Sequence, residues 1–165
     1  FQEVSPMLNV ITSEWTKLRT TASFWWTSGL AIVLSVGWTL FMAALDNPEL
    51  PSYGGAMVVA GFLSFGMLCL MIQAIMVVTT EYRYKVSATN MTLTPQRWKV
   101  AVGKLTVYGG YAAALSFLIL AVSFVLGDVI ASNPINWASN PYSRRALWAI
   151  PLATFVSVPV SYTHL

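Results

Sequence analysis

From Ala56 to Thr79 the sequence runs for 24 residues with no ionisable side chain other than the thiol of Cys69. Wound as a helix, that run is about 36 Å long. A hydrocarbon layer about 30 Å thick accepts such a helix with some tilt, because every backbone hydrogen bond closes within the helix itself. Two similar runs flank it, at about Phe24–Leu45 and Leu105–Gly127, and a fourth begins near Ala146 and is still apolar at residue 165. Charged residues make up only 9% of the chain, against about a quarter in soluble domains. Such a chain cannot cover a water-facing surface. The expected fold class is therefore an all-α integral membrane protein, with residues 1–165 in a single transmembrane domain.

The connecting segments support that division. Residues 5–22 read as a short amphipathic helix, with Ser5 as its cap and Pro6 at its first position, where a missing N–H does no harm. Met7, Ile11, Trp15 and Leu18 recur at helical spacing, which suits a helix lying in the membrane interface with Trp15 among the headgroups. A soluble helix packed on a partner is the alternative. Trp25 and Trp26 open the first span as an aromatic belt. The turn at Asp46–Pro51, with Gly54 and Gly55 behind it, ends that helix. Residues 80–104 form the most charged stretch, in which Thr94-Pro95 marks a break and a helix restart. An Asn-, Pro- and Ser-rich loop covers 128–145, and Pro151 and Pro159 are expected to kink the fourth span.

Basic residues set the orientation. Lys17 and Arg19 in the N-terminal segment join Arg83, Lys85, Arg97, Lys99 and Lys104, against Arg144 and Arg145 alone on the opposite side. This imbalance puts the N-terminus and the 80–104 loop in the cytoplasm. The net charge of +3 is spread too thinly to mark a nucleic-acid surface.

Soluble-enzyme templates are missing from the sequence. Gly103-Lys104 lacks the remainder of a phosphate loop, and neither H-E-x-x-H nor G-x-S-x-G occurs. His164 is the single histidine and no span holds two carboxylates, so no catalytic, cofactor or metal site is expected and the chain is not read as an enzyme. Within the spans, Gln73 suits either helix packing or a transport pathway. Thr27, Ser28, Ser35 and Thr39 are expected to satisfy themselves on the preceding turn. Small residues four apart, Ala56/Ala60/Ser64, Gly109/Ala113 and Gly110/Ala114, would let helices approach closely.

Several short motifs occur in one order. Ser13-Glu14-Trp15-Thr16-Lys17-Leu18-Arg19-Thr20 precedes Phe24-Trp25-Trp26-Thr27. Thr80-Glu81-Tyr82-Arg83-Tyr84 is followed by Thr92-Leu93-Thr94-Pro95-Gln96-Arg97-Trp98 and by Lys104. Over about residues 10–127 this resembles the permease subunits of type-2 ATP-binding-cassette exporters, especially actinobacterial ones. The resemblance implies an interfacial N-terminal helix, six spans per permease, and a coupling helix between the second and third spans that docks in a separate ATPase. It implies that Glu81, Tyr82 and Arg83 lie at a hinge, and that Ser87–Leu93 with Thr94, Pro95 and Arg97 forms or flanks the coupling element. The family usually has Gly-Thr where this chain has Lys85-Val86, so the loop's local turn differs.

The function expected from this resemblance is that of a permease subunit coupling ATP hydrolysis to export. ATP would be bound by the ATPase partner, and the permease would bind no cofactor of its own. The expected partners are that ATPase, a second permease copy and the bilayer of a bacterial cytoplasmic membrane. With at most four of six spans, the chain is expected to be an N-terminal fragment. Val160–Leu165 resembles a reading frame run into adapter sequence. The alternative is a non-transporting membrane protein, an assembly factor or sensor, whose basic loop contacts lipid or a regulator.

Overall fold

Thr21 interrupts the first helical stretch. A computed structural model describes residues 6–49, 53–83 and 97–163; in it α1 covers Pro6–Thr20 and α2 covers Ala22–Ala44, with Thr21 extended between them at φ −89° and ψ 113°. Two side chains fix this corner. Thr21 Oγ1 donates to the Lys17 carbonyl at 2.8 Å, and Trp25 Nε1 donates to the Arg19 carbonyl at 3.0 Å. Carbonyls left over at the end of α1 are thus satisfied from the next helix. The cap expected of Ser5 lies outside the described residues.

The second span is not one uniform helix. It comprises α3 (Gly55–Gly61), a π-wound turn (Phe62–Gly66) and α4 (Met67–Arg83). Helix α5 (Arg97–Ile130) is 34 residues long and begins well before the apolar run it contains, while α6 covers Pro141–Thr163. Pro141 occupies the first position of α6, and Asn140 Oδ1 caps it by accepting from Tyr142 N at 2.9 Å. The fourth helix therefore starts five residues before Ala146 and takes Arg144 and Arg145 into its first turns. It continues through Pro151 and Pro159.

Among the described residues three helices are long and apolar enough to cross a membrane: Ala22–Ala44, Gly55–Val77 and Leu105–Ile130. The protein is a multi-pass, all-α membrane protein. Helix α5 is the hub, packing against α1, α2, α3, α4 and α6. Its Ile119, Leu120 and Phe124 are fully enclosed, with Val58, Phe62 and Leu70 of the second span beside them. Outward positions remain apolar, as at Trp26 (81% exposed) and Val33 (67%), which fits a surface solvated by lipid. Of the small-residue pairs, Gly109 is buried against α6, where an added Cβ would lie 2.9 Å from the Phe155 carbonyl. Ala56, Ala60 and Ser64 face outward, so that ridge joins no helices in this bundle.

At the end of the bundle remote from α1, two carboxylates organise the loops. Asp46, 7% exposed, accepts from Tyr53 N at 3.1 Å and from Asn133 N at 2.7 Å. It thereby ties the loop after α2 to the loop after α5. Asp128 accepts from Ile135 N and Trp137 N at 3.2 and 3.0 Å, folding the second loop back on its own helix. The Tyr53 ring lies against Gly127, whose missing side chain admits it. Burial and the neighbouring Asp128 carboxylate push the Tyr53 phenol well above its ordinary value, so it stays protonated.

Asp46→Ala removes a charged acceptor from two backbone donors, and each such bond contributes about 1.5–3 kcal/mol. The variant should lose about 3 kcal/mol in unfolding assays in detergent, and Asp46→Asn should lose less. Equal stability of Asp46→Ala and the parent would show that the two loops are held some other way.

Candidate functional site

Glu81, Tyr82 and Arg83 form the last turn of α4, and Arg97 is the first residue of α5. Thr94 and Pro95, with the segment 84–96 between the two helices, lie outside the described residues. The described structure thus carries the two helices that flank the expected coupling element; α5 packs on α1, and α4 packs on the cluster at its base. Leu18 of α1, Phe24 of α2 and Tyr108 of α5 are buried together, with Val77 of α4 packed against them. Val77 is about one turn before Glu81, so the end of α4 leaves the bundle from this cluster.

Helix α1 is seated by a less expected residue. Glu14 is 3% exposed and receives the Lys17 ammonium at 2.7 Å. The buried face of α1 centres on Glu14 and Leu18 because α1 packs on α5, and Trp15 is left 44% exposed on the outer side. A carboxylate removed from water is tolerable only when paired, and Lys17 supplies that pair while its own side chain still reaches the surface.

Above the α1 cluster, Gln73 is 4% exposed and at the centre of a polar knot. Its Nε2 donates to the Phe24 carbonyl and to Ser28 Oγ, both at 3.3 Å. Ser28 donates its own proton to the Phe24 carbonyl at 2.6 Å. Ser28 Oγ is therefore an acceptor toward the Tyr111 hydroxyl, with which it is also bonded. The Phe24 and Tyr111 rings stack at 4.5 Å beside it. One serine hydroxyl thus connects α2, α4 and α5, with each proton accounted for.

Higher in α2 the account does not close. Thr27, Ser28 and Thr39 turn to preceding carbonyls as expected, but Ser35 does not. Ser35 Oγ and Trp38 Nε1 are buried without a hydrogen-bond partner, and both face the π-wound turn of the second span, against Gly66 and Gly61. An unsatisfied buried polar atom costs about 1–3 kcal/mol. Wide turns of this kind occur often at functional positions. Sequence reading missed the turn, although Gly61 and Gly66, five apart where α-winding favours three or four, were a visible trace of it.

Among the described residues no group of His, Cys, Asp and Glu is placed to hold a metal ion. The depression lined by Thr12, Thr16 and Lys17 on the outer face of α1 is open and shallow, and the Thr16 hydroxyl is turned into its own helix. Packed side chains run from the bases of α4 and α5 through the α1 cluster and the Gln73 knot to the wide turn.

Comparison with known proteins identifies a family. A family model described as ABC-2 family transporter protein matches residues 10–163. No curated protein and no solved structure matches the chain.

Bonds of this kind between membrane helices contribute on average about 0.6 kcal/mol and up to about 1.7. Gln73→Leu and Ser28→Ala should each destabilise the bundle by about 1 kcal/mol. Because both act through the Ser28 hydroxyl, the double variant should lose clearly less than the sum. Additive losses in a double-mutant cycle would mean that the knot is not one unit.

Proposed function

The chain belongs to the ABC-2 family of transporter proteins, and we propose that it acts as the permease subunit of an exporter driven by a separate ATPase. The observation that carries this reading is the family match over residues 10–163, which encloses the charged segment between the second and third spans. In this reading the N-terminal segment and residues 80–104 lie in the cytoplasm of a bacterial cell, where seven of nine basic residues gather. The segment 84–96, with Thr94 and Pro95, docks on the ATPase, and Glu81, Tyr82, Arg83 and Arg97 flank it. A second permease copy completes the path.

The geometry explains how docking would be felt inside the membrane. Helix α4 is continuous from Met67 to Arg83, so a displacement at its charged end moves Val77 and Gln73 as one body. Gln73 bonds Phe24 and Ser28 of α2, and Val77 packs on the cluster that Phe24 forms with Leu18 and Tyr108. A push from the ATPase is then delivered to most of the described bundle rather than dissipated in a loop. Work comes from ATP bound by the partner, and the permease contributes only shape and coupling. Gln73 serves in this scheme as a packing residue that transmits the motion.

Full-length permease should co-purify with its ATP-binding-cassette ATPase and change its turnover. Arg83→Glu with Arg97→Glu should weaken that association at least tenfold, about 1.4 kcal/mol, while membrane insertion is kept. An unchanged association would assign the basic segment to lipid or to a regulator and favour a non-transporting role.

A further inference from the structure

The second span changes its winding at one place, and there it meets α2. A Cβ added to Gly61 would lie 2.4 Å from Trp38 Cδ1, and one added to Gly66 would lie 2.8 Å from Ser35 Oγ. Both glycines therefore face α2, although they are five residues apart. Five residues of α-helix turn through about 500°, which would leave such positions roughly 140° apart. Only a five-residue turn puts both on one face. The close seam and the wide winding therefore require each other.

The two halves of the span are held differently. Below the turn, α4 is bonded to α2 through Gln73, and its partner Ser28 is bonded in turn to Tyr111 of α5. Above it, α3 is seven residues long, and Gly54, with open space about it, separates α3 from the Tyr53–Asp46 tie. At the seam itself, Ser35 Oγ, in a residue 1% exposed, and Trp38 Nε1 lack any partner. The closed seam is sterically complete and incomplete in hydrogen bonds.

We propose that the π-wound turn at Phe62–Gly66 is a register switch whose rewinding to α geometry opens the seam between α2 and α3. Rewinding turns α3 by about 100° and lifts it by about 1.5 Å relative to α4. Gly61 then leaves Trp38, and a neighbouring side chain arrives where none fits, so α2 and α3 separate. The Ser35 O–H and Trp38 N–H become donors lining the gap, open to acceptor groups passing through it. The switch rests on the transporter reading, since docking of the ATPase at the base of α4 is what would drive it.

Spin labels on Met57→Cys and Met76→Cys, both outward-facing positions, read the switch within one span. The full-length permease is used with Cys69→Ala, in lipid nanodiscs with its ATPase. Met57 and Met76 are 19 residues apart in sequence. The extra residue in the turn now keeps their azimuths aligned, and rewinding should lengthen the label distance by roughly 4 Å. That longer population should appear on trapping with ATP and vanadate and be absent without nucleotide. Deleting Ser64 removes the extra residue and keeps the present alignment, so this variant should bind the ATPase and show only the short distance in both states. A parent whose ATPase is stimulated while the distance never changes overturns the switch alone. A Ser64 deletion that still lengthens under trapping overturns it too. A permease that neither binds nor stimulates the ATPase overturns the transporter reading, and the switch with it.

Discussion

A single serine hydroxyl sets the geometry of this bundle. Lipid offers a polar group no water to fall back on, so a hydrogen-bonding side chain inside a span must find its partners among the other helices. Ser28 answers that constraint for three of them, taking protons from Gln73 and Tyr111 and giving its own to the Phe24 carbonyl. The azimuth of α4 is thereby set at one point. Apolar side chains could slide past one another there at little cost; the Gln73 amide cannot. Everything carried by α4, from Val77 down to the charged turn at Glu81–Arg83, inherits that alignment.

The rest of the molecule falls into layers around this point. At one end the Asp46 and Asp128 carboxylates gather backbone N–H groups and hold two loops together. At the other, Leu18, Phe24 and Tyr108 seat α1 on the bundle, and the Trp25 indole clamps the α1–α2 corner. Between them lies the wide turn, the one place where buried polar atoms of α2 go without partners. Ser143 Oγ, at the start of α6, is likewise buried without a partner.

Much of this was legible in the sequence. Of the four apolar runs, three correspond to helices long and apolar enough to cross a membrane among the described residues. The order of the short motifs from Glu14 to Lys104 pointed to the family whose model matches residues 10–163. Other features depend on pairs distant in sequence and were not legible. Asp46 looked like an ordinary turn residue because its partner Asn133 is 87 positions away. Ser35 resembled Ser28, and only the approach of Gly66 tells them apart. Arg144 and Arg145 read as loop residues because Asn140-Pro141, the true start of α6, precedes a polar stretch. The burial of Glu14 was not foreseen, because only the packing of α5 on α1 covers it.

The account stands on the charged end of the bundle facing the cytosol, since only there can α4 and α5 meet an ATPase. Single cysteines in a Cys69→Ala background decide this directly, at Glu49 in the loop after α2 and at Thr16 on the exposed face of α1. A membrane-impermeant maleimide applied to intact cells should label Glu49→Cys and leave Thr16→Cys untouched, with the pattern reversed in inside-out vesicles. Labelling of Thr16→Cys from outside intact cells, with Glu49→Cys protected, would contradict it.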